Sequence, residues 1–338
     1  MARTAVRTVA GPGTEEVGVV RRGLVLGGGG MLGAAWTIGA LCAVEEVTGW
    51  RPGSAEIVLG TSAGSILGAL LASGVGVADL RDHHRGLEIL TGPLAGLDFD
   101  YDTVLGGALP PRPGPGIGSP GLLRDVVRHP GDYPFLTMVS ALVPTGRGSV
   151  APIGSLVRGL AGDTMAPALR VAAVDHRTGR RVTFGDPGAP VAAVDEAVMA
   201  SCAIPGWFAP VEVGGSRYVD GGCWSATNAD LMADRGLDEV YVLAPMALRP
   251  SWPSPSDRRR SGGVLVHLIS RYRRAVTRQL MREARQLRAE GVRVQLLAPT
   301  PADLAAMGVN MMDPARRAET LETALHTVGR ALVERRSG

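Results

Sequence analysis

Ser62 lies within Gly60-Thr61-Ser62-Ala63-Gly64, after the apolar run Ile57-Val58-Leu59 and before the small, apolar stretch from Ser65 to Ser73. That order reads as a buried strand, a sharp turn with serine at its tip, and a helix. The glycines let the backbone turn tightly, the serine oxygen is pushed outward, and the helix N-terminus behind it favours developing negative charge. This is the setting of an activated nucleophile, and it points first to an acyl-transferring hydrolase.

A second strand, Arg22 to Leu26, runs into Gly27-Gly28-Gly29-Gly30-Met31-Leu32-Gly33 and a helix-like stretch from Ala34 to Glu46. Consecutive glycines at a helix start expose backbone N–H groups and make an anion site. In an acyl hydrolase such a site would hold the oxyanion of the tetrahedral intermediate. Gly28, Gly30 and Gly33 also fit G-x-G-x-x-G, but a dinucleotide site needs an acidic residue at the end of the next strand. Here that strand ends in Gly60-Thr61-Ser62, and Glu45 and Glu46 fall too early, on the helix.

A third block begins with Ala200-Ser201-Cys202-Ala203-Ile204-Pro205-Gly206-Trp207-Phe208-Ala209-Pro210-Val211 and continues to Asp220-Gly221-Gly222. An aspartate at a strand end, followed by two glycines, can project into a site while the backbone turns away. An Asp-Gly pair is also an ordinary turn.

Together and in this order, the three blocks resemble the patatin-like phospholipase family. The resemblance covers residues 22 to 225, and Asp303 to Met312-Asp313 is similar to the C-terminal part of bacterial members. It implies an α/β fold, a three-layer α/β/α arrangement with a mixed central sheet. It also implies a Ser62–Asp220 dyad acting on lipid esters without cofactor or metal. Amides of Gly28, Gly29 and Gly30, with that of Ala63, would form the oxyanion hole; Gly60, Gly64, Gly221 and Gly222 are the elbow and motif glycines. Where many members carry Arg or Lys, this chain has Leu32, so any role of that cation is lost while the backbone donors remain.

Composition narrows the chemistry. The chain has no lysine, which excludes a Ser-Lys mechanism, a Schiff base and a P-loop lysine. A true α/β-hydrolase triad would need a late histidine, leaving His267 or His326. That alternative stays open, as does a non-catalytic patatin-like protein that binds lipid or a partner. The Asp79, Asp82, His83 and His84 cluster would mostly face solvent on a helix, and Cys42, Cys202 and Cys223 have no metal-ligand spacing. The cysteines read as reduced core thiols.

Residues 1 to 20 read as a flexible tail and 21 to 335 as one domain, with 226 to 335 a helix-strand-helix extension. A hydropathy window flags Gly23 to Val47 and Ile57 to Ala78, yet each divides into strand, glycine turn and helix, so both read as core rather than membrane spans. No secretory signal is evident, and a cytoplasmic protein is expected. The proline-rich part of Thr91 to Pro120 is expected to form a loop beside the site, and Pro250 to Ser261 another. Leu169 to Val174 and Arg181 to Phe184 read as a hairpin; Glu239 to Leu243 and Val292 to Leu297 read as strands. The net charge is +3, but Arg271, Arg273, Arg274, Arg278, Arg282, Arg285 and Arg288 concentrate on one helix. Peripheral contact with an anionic membrane through Arg271 to Arg288 is therefore expected, tempered by Glu283 and Glu290. The run lacks interleaved aromatics, which argues against nucleic acid.

Overall fold

A computed structural model describes residues 20–97, 113–129, 131–249 and 264–337. The expected tail before residue 20, residues 98–112 of the access loop and the Pro250 to Ser261 segment lie outside them. Strand β1 (Arg22–Leu26) leads through the glycine run into α1 (Gly30–Thr48), and β2 (Ile57–Thr61) leads through Ser62 into α2 (Ala63–Ala72) and then α3 (Val77–His84). Helices α4 (Pro120–Arg128), α5 (Phe135–Leu142) and α6 (Ala151–Ala161) precede the expected hairpin, β3 (Leu169–Asp175) and β4 (Arg181–Phe184). Helix α7 (Val194–Cys202) is followed by a second hairpin, β5 (Val211–Val213) and β6 (Ser216–Asp220), and then by β7 (Glu239–Leu243). The chain continues through α8 (Val264–Ala289), β8 (Arg293–Leu297), α9 (Pro301–Met307) and α10 (Arg317–Ser337).

The strands form one mixed sheet in the order β5-β6-β3-β2-β1-β7-β8, with β4 also paired to β3. β3, β2, β1, β7 and β8 run parallel to one another, while β6 and β4 pair antiparallel with β3 and β5 antiparallel with β6. Side chains alternate across the sheet as strand geometry requires. Leu24, Leu26 and Val58 face a core shared with α1, α2, α3 and α10. Val25, Leu59, Val240 and Val242 face the other side, toward Val276, Leu280 and Leu287 of α8. Helices therefore cover both faces. Both strands expected after residue 226, β7 and β8, complete this sheet.

Helix α1 is apolar all round and, among the described residues, is the one helix long and apolar enough to cross a membrane. Most of it is buried between the sheet and α10, as fits a central core helix. Contact with α10 is close enough to require a missing side chain: a Cβ at Gly39 would sit 2.3 Å from the Leu321 carbonyl oxygen. Gly39→Ala should therefore force α10 away and lower stability by about 1–3 kcal/mol, the usual range for overpacking. Urea unfolding should show an earlier midpoint with native far-ultraviolet circular dichroism retained in water.

Candidate active site

The partners of β3 bring the site together. On one edge β4 pairs along Val171 to Val174. The other edge is divided: β2 pairs with Leu169 to Ala172, and β6 with Ala173 to Asp175. Thr61 therefore lies opposite Ala172, and Asp220 opposite the next residue, Ala173. β2 turns away at Ser62 where β6 arrives at Asp220, and the Ser62 side chain lies near enough to the Asp220 carboxyl to favour its ionised form.

Ser62 has φ 53° and ψ −126°, a strained conformation for a residue with a side chain. Close packing enforces it. A Cβ on Gly64 would lie 2.0 Å from the Leu26 carbonyl oxygen, and one on Gly60 would lie 2.4 Å from the Cα of Ser65. Strand and helix are thus pressed together on both sides of the serine. The Ser62 N–H donates to Ser201 Oγ at 2.9 Å, and Ser201 in turn donates to the Ala172 carbonyl at 2.6 Å. That carbonyl stands at the division of the β3 edge.

Asp220 is only 5% exposed. Desolvation pushes its carboxyl up to about 6, against the opposing effects of the nearby Ser62 side chain and of the Gly222 N–H, which donates to Oδ1 at 2.6 Å. Gly221 lies against Ala172, leaving no room for a side chain. The buried amide of Asn228 donates to Thr61 Oγ1 at 3.0 Å and to the Ser225 carbonyl at 2.7 Å. It ties the residue before the serine to the loop after the aspartate.

The expected anion site needs one correction. The N–H of Gly28 donates to the Ala226 carbonyl at 2.8 Å and is not available to a ligand. The amides of Gly29, Gly30 and Ala63 meet no acceptor among the described residues, and Gly30 and Ala63 begin helices. Leu32 is fully buried in the core, while its N–H donates to the Met311 carbonyl at 3.0 Å. The C-terminal segment thereby holds the start of α1.

Ser62 separates two cavities. One, of about 100 Å³, runs behind it between Ile66, Leu67, Leu70, Leu80, Ile153 and Leu156. Leu94 and Leu97 of the expected access loop also line it. The second, of about 350 Å³, opens in front of Asp220 and the glycine run, with Val139, Val143, Trp207, Met246 and Tyr272 on its walls. Both share Gly30, Ser62, Ile204 and Met312. Their walls suit an apolar chain that passes the serine.

His267 and His326 are exposed and line neither cavity. In the group Asp79, Asp82, His83 and His84, Asp82 pairs with Arg81 and Arg85, and His84 is buried with its ring against the Leu80 carbonyl. All three cysteines are free and buried, and burial raises the Cys42 thiol to about 12 and the other two upward as well. They are protonated thiols.

The arginine helix is also corrected. Arg273 turns inward, 4% exposed, and donates to the Pro245 carbonyl at 2.9 Å. Pro245 packs against Gly29 and Gly33, so a guanidinium does stand behind the glycine run, supplied by α8 rather than by position 32. Glu283 likewise faces inward, accepting from Thr227 Oγ1 at 2.6 Å, and offers nothing to the outer face. Arg271, Arg274, Arg278, Arg282, Arg285 and Arg288 remain exposed. Ser201, Asn228 and Arg273 were given no place in the site by sequence reasoning. Ser201 stands within the Ala-Ser-x-Ala-Ile-Pro block, which was the available signal.

A family model described as patatin-like phospholipase matches residues 24–233, more than half of the chain. Among solved structures, VipD from Legionella pneumophila is similar at 14% identity and a TM-score of 0.44, over 94% of this chain and 67% of VipD. The type III effector protein ExoU is similar at 15% identity and a TM-score of 0.35, over 94% of this chain and 53% of that one, so the chain spans about half of its length. No curated protein is matched.

The buried carboxyl has a consequence for stability. Its folded pKa, about 6, lies above the ordinary 3.8. Its contribution to stability is therefore fully present below the unfolded value and is lost as pH rises through about 6. Asp220→Asn removes the buried charge and keeps the shape. Its Tm relative to wild type should be higher at pH 8 than at pH 4, as differential scanning calorimetry at both values would show.

Proposed function

This chain belongs to the patatin-like phospholipase family, and on that premise we propose that it is a serine acyl hydrolase cleaving fatty-acyl esters of lipids through Ser62 and Asp220. The observation that carries this reading is the strained elbow serine set beside a desolvated carboxylate where β2 and β6 meet on β3. Above about pH 6 that carboxylate is ionised and oriented to accept the serine proton. As Ser62 Oγ attacks the acyl carbonyl, its proton passes to Asp220. The oxyanion is met by the amides of Gly29, Gly30 and Ala63 at two helix starts. Asp220 returns the proton to the departing alkoxide. Water then attacks the acyl-enzyme, giving its proton to Asp220, and Ser62 recovers it as the fatty acid leaves.

In this reading the smaller cavity lined by Leu67, Leu70 and Leu80 takes the acyl chain, and the larger one beside Tyr272 takes the alcohol part. No histidine is needed. Ser62→Ala and Asp220→Asn should each lower ester turnover by roughly three orders of magnitude, because the pair acts as one unit. Ser62→Ala should also abolish labelling by a fluorophosphonate probe. His267→Ala and His326→Ala should stay within a few-fold. In wild type, kcat/KM should fall on the acid side with a midpoint near 6, following ionisation of Asp220. Labelling of another serine, or loss of activity in a folded histidine variant, would sink the assignment.

We also propose peripheral membrane contact through the exposed arginines of α8. Arg271, Arg274, Arg278, Arg282 and Arg285 recur at three- and four-residue steps and share one face. With Glu283 turned inward, no ion pair neutralises them among the described residues. Tyr272, between Arg271 and Arg273, lines the larger cavity, so the basic face begins beside its mouth. Neutralising Arg274, Arg278 and Arg282 should weaken binding to anionic vesicles at low salt by tenfold or more, each charge contributing on the order of 1 kcal/mol. Hydrolysis of a soluble short-chain ester should be unchanged. Vesicle binding that ignores salt would overturn this contact.

A further inference from the structure

At the other end of the parallel strands from Ser62 lies a polar cleft of about 690 Å³. Arg22, Glu239 and Arg293 begin β1, β7 and β8 and stand in one row across the sheet, since Arg22 pairs with Glu239 and Glu239 with Arg293. Arg51, Arg335 and Arg336 complete the charged wall. Glu239 is the one carboxylate lining the cleft among the described residues. It is already taken, accepting from Arg22 Nε at 2.9 Å and from Gln295 Nε2 at 3.2 Å.

Four guanidinium groups are left. Arg335 donates to the Leu296 carbonyl at 3.3 Å and Arg336 to the Val47 carbonyl. A carbonyl orients such a group without cancelling its charge, and most of its five N–H donors stay unused. Arg51 and Arg293 are exposed. The floor is firm: Trp50 stacks on Tyr241 with centroids 4.8 Å apart, and the Arg22 guanidinium lies 5.7 Å from the Trp50 ring centre. Arg22, Arg293 and Arg336 all act electrostatically on the Tyr241 hydroxyl, which places them around one point.

Like charges gathered in a concave wall focus a positive potential and draw an anion into it. A single monoanion answers one guanidinium, whereas several phosphate groups can each take a forked, two-bond contact. We infer that this cleft binds a small anion carrying two or more phosphate groups, at a site separate from the ester-cleaving one. Its volume falls in the ordinary range for a small-molecule site. The observation is independent of the dyad and does not rest on the hydrolase reading.

The test uses the full chain and isothermal titration with inorganic pyrophosphate and inositol hexakisphosphate at low salt, with inorganic phosphate for comparison. Saturable one-site binding is expected, weakest for monophosphate and falling with salt. Arg51→Ala with Arg293→Ala removes two exposed side chains and should weaken it at least tenfold with an unchanged Tm. A second arm uses phosphatidylcholine vesicles with and without a bisphosphorylated inositol lipid, with the α8 arginines Arg274 and Arg278 neutralised in every sample. Binding that needs this lipid and is lost with Arg51 and Arg293 identifies a lipid head group as the source. Binding to the soluble anions alone identifies a free phosphorylated compound. No saturable binding in either arm, or an affinity unchanged in the double variant, would overturn the inference.

Discussion

One edge of β3 is shared by two strands laid end to end, and the meeting of Ser62 with Asp220 follows from it. β2 stops at Thr61 opposite Ala172, and β6 comes in antiparallel to end at Asp220 opposite Ala173. Neither strand can lengthen without displacing the other. A shift of β6 by one residue would turn the Asp220 side chain to the opposite face of the sheet. The place where the strands meet leaves the Ala172 carbonyl to accept from Ser201, which also holds the serine's own N–H. The nearness of Ser62 to Asp220 is thus a matter of sheet register, fixed by backbone pairing before any side chain is considered.

Around this junction the fold accepts two unfavourable local states. Ser62 is held at a positive φ, and Asp220 is kept nearly dry. The close seating of α2 on β1 at Gly64 resists relaxation of the first. The second is moderated by the Gly222 N–H and the nearby Ser62 side chain, which do not fully offset desolvation, so the carboxyl stays a better proton acceptor than an exposed aspartate. A base with an ordinary carboxylate pKa would take a serine proton less readily. Strain and burial both fall at the proposed site.

Much of this was legible in the sequence, because it is local. The elbow around Ser62 and the glycine run before α1 each occupy a few consecutive residues with strong steric demands, and the hairpin of β3 and β4 announces itself by β-branched runs around Asp175 to Gly179. What could not be read depends on partners distant in sequence. The Gly28 amide looks like an anion donor until the Ala226 carbonyl is found against it. Arg273 looks like one more surface arginine, since its neighbours in sequence are exposed and only the third dimension shows Pro245 beside it. Glu283 misleads in the same way. The cleft at Arg22, Glu239 and Arg293 escapes notice because β1, β7 and β8 are more than 50 residues apart in the chain.

The carbonyl of Met311 accepts from the Leu32 N–H, α10 seals α1 at Gly39, and Met312 lies on the wall of both cavities. Synthesis proceeds from the N-terminus, so Ser62, Asp220 and the glycine run all leave the ribosome well before the residues that close over them. A nascent chain that has reached only the end of the family-matched part, residue 233, still lacks β7, β8 and α10. Its α1 would have an apolar flank open to water. The order of translation therefore leaves the proposed site open until α10 has been made.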